Sequence, residues 1–177
     1  MSAEFWDTDA LLNQMRQAQL EAAQKAFDEA KAVASSELSQ TIEEDLRMIY
    51  AMSVASWYRA FTPSMYGRTH QLYNLLEVEN NSGDGLIDVG WEISDEGLSY
   101  KSWGKKSTFK DPWTQIFLVG FHGGWISTKE GLRWPVQSEP IPEMFERSKE
   151  ELESSYSNRL LDILQRETMA RYNKYYR

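Results

Sequence analysis

The sequence predicts an α+β fold: a long N-terminal helix or helix pair, a small antiparallel β-sheet in the middle and a C-terminal helix. Three observations carry that prediction. Residues 8 to 61 hold neither proline nor glycine, the apolar period becomes two between Ile87 and Ile93, and a helical period returns after Pro142. A chain of 177 residues accommodates all three zones in one domain and can bury a core without staples. The zones are helical to residue 61, sheet from 72 to 121 and helix from 140 to 177.

The first helix begins among acids, Asp7 and Asp9, where a helix start favours negative charge. Its second half carries a firm stripe at spacings of three and four: Leu38, Ile42, Leu46, Ile49, Ser53, Trp57 and Phe61. The first half relies on Leu11, Met15, Ala18, Ala22, Ala26 and Val33, and alanine favours the helix while burying little area. Such a stripe admits the close approach of another helix, or belongs to a solvated arm awaiting a partner. Val33 to Ser39, with its serines, is the expected bend or break. Thr62-Pro63 ends the helix, because the residue before proline is pushed out of the α region.

Strand signals follow. Ile87, Val89, Trp91 and Ile93 alternate with Asp88, Gly90, Glu92 and Ser94, the pattern of a half-buried strand. The run Leu75 to Val78 precedes it across NNSGDG, residues Asn80 to Gly85, a turn composition that predicts a hairpin. Tyr100 to Trp103 and Gln115 to Phe121 are the expected third and fourth strands, with the basic stretch GKKSTFKDP between them as a loop. In the last zone Pro142 suits a first helical turn, and Phe145, Leu152, Tyr156, Leu160, Ile163 and Leu164 mark one apolar face.

Composition excludes several classes. The chain has no cysteine, which removes disulfide frameworks and thiolate metal sites. Twenty-seven acids against nineteen bases give a net charge of -8, which disfavours a sequence-independent grip on nucleic acid. Seven tryptophans and nine tyrosines supply buried area and argue against disorder. No apolar run approaches a membrane span, and acids stand where a signal peptide needs a basic flank, so a soluble protein, intracellular when made, is expected.

The sequence carries few signals of chemistry. His70 and His122 lack a second histidine at metal spacing, no serine sits in a nucleophile elbow, and Gly104-Lys105 lacks the rest of a phosphate loop. Asp84, Asp88, Asp95 and Glu96 fall in or beside turns and read as turn formers. FHGGW, residues Phe121 to Trp125, reads as a strand ending in a glycine turn with His122 at its edge. No catalytic residue, metal or cofactor is expected, and the chain is not read as an enzyme.

Contact surfaces are the remaining source of function. The stretch YRAFTPSMYGRTHQLYNLL, residues Tyr58 to Leu76, concentrates the tyrosine and arginine side chains that most often anchor interfaces. Helical periodicity turns Trp57 and Phe61 inward and places Tyr58 and Arg59 on other faces, so Tyr58, Arg59, Tyr66 and Arg68 are candidate contact residues. Arg68 either pairs an acid of its own sheet or reaches a neighbouring subunit. The tail MARYNKYYR has bases and no acid; its cations complement the helix dipole, and Arg171, Tyr172 and Tyr175 also make a contact surface, as does His122.

The order of the pieces resembles the neck or tail-completion proteins of long-tailed bacteriophages, which join head to tail. In that family a proline, an Arg-Thr-Gly step and a leucine entering the first strand follow the long helix. The matching residues are Pro63, Arg68, Thr69 and Leu72, with His70 in the place of the glycine. FLVGFHGG looks like the family's strand with an aromatic-glycine end, and PIPEMF, Pro140 to Phe145, like its proline-aromatic helix start. The resemblance implies a virion structural protein that forms or joins a ring of its own copies between portal or adaptor and tail proteins. It would assemble in the host cytoplasm, pass into the virion, and let DNA through an acidic lumen without binding it. The alternative is a small acidic inhibitor that mimics DNA against a host nuclease. That reading predicts one continuous acidic stripe, whereas KAFDEAKA and FERSKEELE interleave bases with the acids.

Overall fold

The computed structural model describes residues 8–60, 66–67, 70–94, 99–102, 105–108 and 139–176. It is an α+β structure. Helix α1 runs Thr8–Arg59, and the short strand β1 is Tyr66–Gly67. A 3-10 turn at Gln71–Asn74 leads to β2, Leu76–Asn80, and β3, Val89–Ile93. Strands β4, Ser99–Ser102, and β5, Lys105–Thr108, precede helix α2, Ile141–Tyr175. The strands form two antiparallel sheets, β1-β4-β5 and β2-β3. The fourth expected strand, Gln115 to Phe121, lies outside the described residues.

Three expectations change. Val33 to Ser39 does not break α1, which runs through it; the serine hydroxyls turn back onto their own helix, Ser35 Oγ donating to the Ala32 carbonyl and Ser39 Oγ to that of Ser36, each at 3.0 Å. Lys105 to Thr108, expected as loop, is strand β5, paired with β4 from Ser99↔Thr108 to Ser102↔Lys105. Main-chain pairing asks little of side-chain hydrophobicity at a sheet edge, and lysine is a usual edge residue. Leu72 does not enter a strand; it is buried in the 3-10 turn, and β2 starts at Leu76.

The hairpin follows its turn chemistry. β2 and β3 pair from Leu76↔Ile93 to Asn80↔Val89, and Gly83 and Leu86 close the tip by mutual main-chain bonds of 2.8 and 3.0 Å. Asp84 and Gly85 between them have φ of 48° and 85°, the left-handed pair that a two-residue turn needs to match strand twist.

The chain divides into two compact units. One comprises residues 41–80 and 89–155 and holds an aromatic-aliphatic core. Tyr50, Val54 and Trp57 of α1 meet Leu72, Leu76 and Ile93 from the turn and hairpin, and Ile141 and Phe145 from α2. Phe145 is fully buried, edge-on to Tyr50 at 5.9 Å and to Trp91 at 4.9 Å. Its position follows from the helix start, where the Pro140 carbonyl accepts from Met144 N at 3.2 Å.

The other unit comprises residues 1–40, 81–88 and 156–177. Here α1 buries Ala26, Ala30, Ala34, Ser35, Leu38 and Ser39, and α2 buries Ile163. The alanine stripe is thus shifted from the expected one: Val33 is exposed, and Ala30 and Ala34 take the buried positions. The hairpin tip rests on this stretch, with Gly85 N donating to Ser35 Oγ at 3.3 Å and a Cβ at Gly85 falling 3.5 Å from Lys31 Cβ.

Candidate functional site: an aromatic corner and a clasped helix end

The candidate contact residues among the described ones fall into two groups, one in each unit. The first is the corner after α1. There the Tyr58 ring lies 5.3 Å from Trp57, 5.1 Å from His70 and 5.6 Å from Tyr73. His70 and Tyr73 are stacked at 6.3 Å, both exposed. Tyr58, expected on an outward face, is only 9% exposed and belongs to the core, because its ring is drawn in beside Trp57. Arg59 is exposed at the last position of α1. Tyr66 stands opposite Ser102 in β1; Arg68 and His122 lie outside the described residues.

His70 defines the corner's backbone. With φ 56° it occupies the left-handed region that a residue other than glycine enters at a cost, and it starts the 3-10 turn through Tyr73 N to its carbonyl at 3.4 Å. The turn is fixed from beneath by Tyr50, whose hydroxyl donates to the Leu72 carbonyl at 2.8 Å inside the core. Burial pushes the Tyr50 phenol well above its ordinary range, with the neighbouring Tyr58 adding to the effect.

The second group is the end of α2. Tyr175 donates its hydroxyl to the Glu29 carboxylate at 2.6 Å, and Lys25 Nζ sits 4.4 Å over the Tyr175 ring. Arg171 is paired tightly with Glu167 and reaches Glu29 at 3.8 Å. One turn earlier Arg166 contacts Glu37 at 2.6 Å and Glu167 at 3.1 Å. Tyr172 stacks on Tyr176, whose hydroxyl oxygen accepts a bond from Gln19 Nε2. The pairs 19 with 176, 29 with 171 and 37 with 166 run in opposite directions, so α2 lies antiparallel to α1 here. The Glu167 carboxyl is held below the usual range, first by its bond to Arg171 and then by Arg166. The Tyr175 phenol is pushed up by its bond to Glu29.

Arg171, Tyr172 and Tyr175 are therefore brought together, and with α1 inside the same chain. Sequence reasoning does not single out their partners Gln19, Lys25 and Glu29. The missed signal is that Lys25 and Glu29 stand one turn apart, each next to a buried alanine, Ala26 and Ala30. An open depression on α1, lined by Glu21, Gln24, Lys25, Asp28, Glu29 and Ala32, belongs to one helix and has no opposing wall among these residues.

No family model, curated protein or solved structure matches the chain. Among the described residues no cluster of three or more histidine, cysteine, aspartate or glutamate side chains is placed to hold a metal ion. No helix among them is long and apolar enough to cross a membrane.

Proposed function

We propose that this chain is a structural protein of a tailed bacteriophage virion that works by assembly at the head-tail junction. The observation that carries the reading is His70. The family that the sequence resembles has a glycine at this step, and here the backbone takes the left-handed conformation natural to glycine, with φ 56°. The step joins a long helix to a small hairpin, and Pro140 to Phe145 opens the last helix, in the order that the resemblance implies.

In this role the protein contributes surfaces and no chemistry. Its copies would form or join a ring against portal or adaptor proteins on one side and tail proteins on the other. Arg59, Tyr66, Arg68 and His122 are the contact residues proposed; Tyr58 serves by holding His70 and Tyr73 in place. The acidic charge, -8 overall, lets DNA pass without adhesion.

The test is the mass of the purified protein by light scattering over a concentration series, with and without phage particles that lack their tails. Discrete higher oligomers or uptake onto particles are expected. Tyr66→Ala and Arg68→Ala should stay folded and lose that uptake. A protein that joins no particle at any concentration overturns the reading.

A further inference from the structure

Going beyond that role, we propose that the start of α1, Thr8 to Ala18, pairs antiparallel with the same segment of a second copy of this chain. The α2 helix ends at Tyr175, and Tyr176 meets Gln19. Towards its own start α1 continues for about three more turns at ~3.6 residues per turn, all of them exposed.

These turns carry the same face that receives α2. Residues one or two heptads apart lie on one side of a helix. Leu12 is one heptad before Gln19, Leu11 two before Lys25, and Met15 two before Glu29; these later three hold the end of α2. The seam therefore runs on past its partner. Its side chains also grow along the way. The buried residues of the paired stretch are Ala26, Ala30 and Ala34, whereas the turns before Gln19 present Leu11 at 52% exposure, Leu12 at 50% and Met15 at 49%. An end designed only for water would reverse that order, because leucine and methionine leave far more apolar surface in water than alanine does.

The segment is complementary to itself. In an antiparallel pair Leu11 of one copy packs against Met15 of the other, and the twofold axis repeats the contact. Asp9 and Arg16, seven residues apart, share one flank. Antiparallel pairing puts the same flank of the two copies side by side and brings Asp9 of one copy near the level of Arg16 of the other, so opposite charges meet. Three short turns bury little area, so the dimer is weak and concentration-dependent.

Sedimentation of residues 1–177 over a concentration series should show monomer passing to dimer. Leu11→Gln combined with Met15→Gln should weaken the dimer by about tenfold or more with helical content unchanged. Leu161→Gln, which removes an exposed leucine from α2, should leave it intact. Because the chain has no cysteine, single-cysteine variants report orientation. A mixture of Leu11→Cys and Met15→Cys should cross-link preferentially as the mixed pair. No dimer, a dimer indifferent to the double substitution, or preferential like-with-like cross-links would each overturn the proposal. The outcome is independent of the particle experiment: a chain that dimerises and ignores phage particles removes the neck reading and keeps this one.

Discussion

The two units use opposite means to hold the same two helices. In the unit built on residues 41–80 and 89–155, α1 and α2 are joined by large side chains, with Tyr50, Val54, Ile141 and Phe145 each at most 1% exposed. In the other, α1 offers alanine and serine, and exposed pairs such as Arg166–Glu37 and Tyr175–Glu29 hold the helix end. Taking large apolar side chains out of water stabilises a fold far more than exposed ion pairs do, each of which adds little. The first unit is thus the source of stability, and the second is a close-fitting seam that opens more readily.

The largest test of that contrast is Phe145→Ala. Phe145 is fully buried between Tyr50 and Trp91, so its loss should cost about 3–5 kcal/mol by urea unfolding. Removing a buried ring leaves a cavity as well as lost transfer energy, and nothing comparable exists among the alanines of the seam. An effect below about 1 kcal/mol would show that the aromatic core is not what holds the helices.

A middle-sized effect is expected from Tyr50→Phe, which leaves the Leu72 carbonyl without its 2.8 Å partner and should cost about 1–2 kcal/mol. The same phenol gives a pH test. Its folded-state pKa is raised above the ordinary value of about 10, so its contribution is complete below that pH and is lost as pH rises through the folded value. Wild type should lose stability in alkali faster than Tyr50→Phe, as read from urea midpoints at pH 9 and above. Equal slopes would mean that the hydroxyl is hydrated in the folded protein.

The contrast also explains what the sequence can show. The core stripe from Leu38 to Trp57 is legible because leucine, isoleucine and tryptophan at spacings of three and four have few other uses; all but the half-buried Ile42 are buried. The hairpin is legible from Asp84-Gly85 for an equally local reason, the need for positive φ. The seam is harder. Alanine suits a buried or an exposed face alike, so periodicity puts Val33 on a stripe that Ala30 and Ala34 occupy. Serines 35 and 39 suggest a break because the same hydroxyl can cap a helix or turn back onto it. Tyr58 reads as outward because a single stripe underestimates the arc that α1 buries, where Tyr50, Val54 and Tyr58 form a second row at spacing four. As for the candidate site, the bases and tyrosines of the α2 tail are visible in the sequence, and so is the local pair Arg171–Glu167, but the acids Glu37 and Glu29 come from more than 120 residues away, beyond the reach of local pattern.

The smallest effect belongs to the clasp and shows best in local opening. Tyr175→Phe removes the bond to Glu29 while keeping the ring under Lys25. Global unfolding should barely change, because the aromatic core is untouched. Amide exchange over the last two turns of α2 should quicken, with the residues around Phe145 unaffected. Acid should act on the same end. Glu167 is held below the ordinary carboxylate value of 4.5 by Arg171 and Arg166, so its contribution is present above that pH and fades as pH falls through the folded value. Added salt should mimic acid by screening these exposed charges. If exchange at the end of α2 ignores the substitution, salt and acid alike, the close fit of the alanine seam holds that end, and the charged pairs are incidental to it.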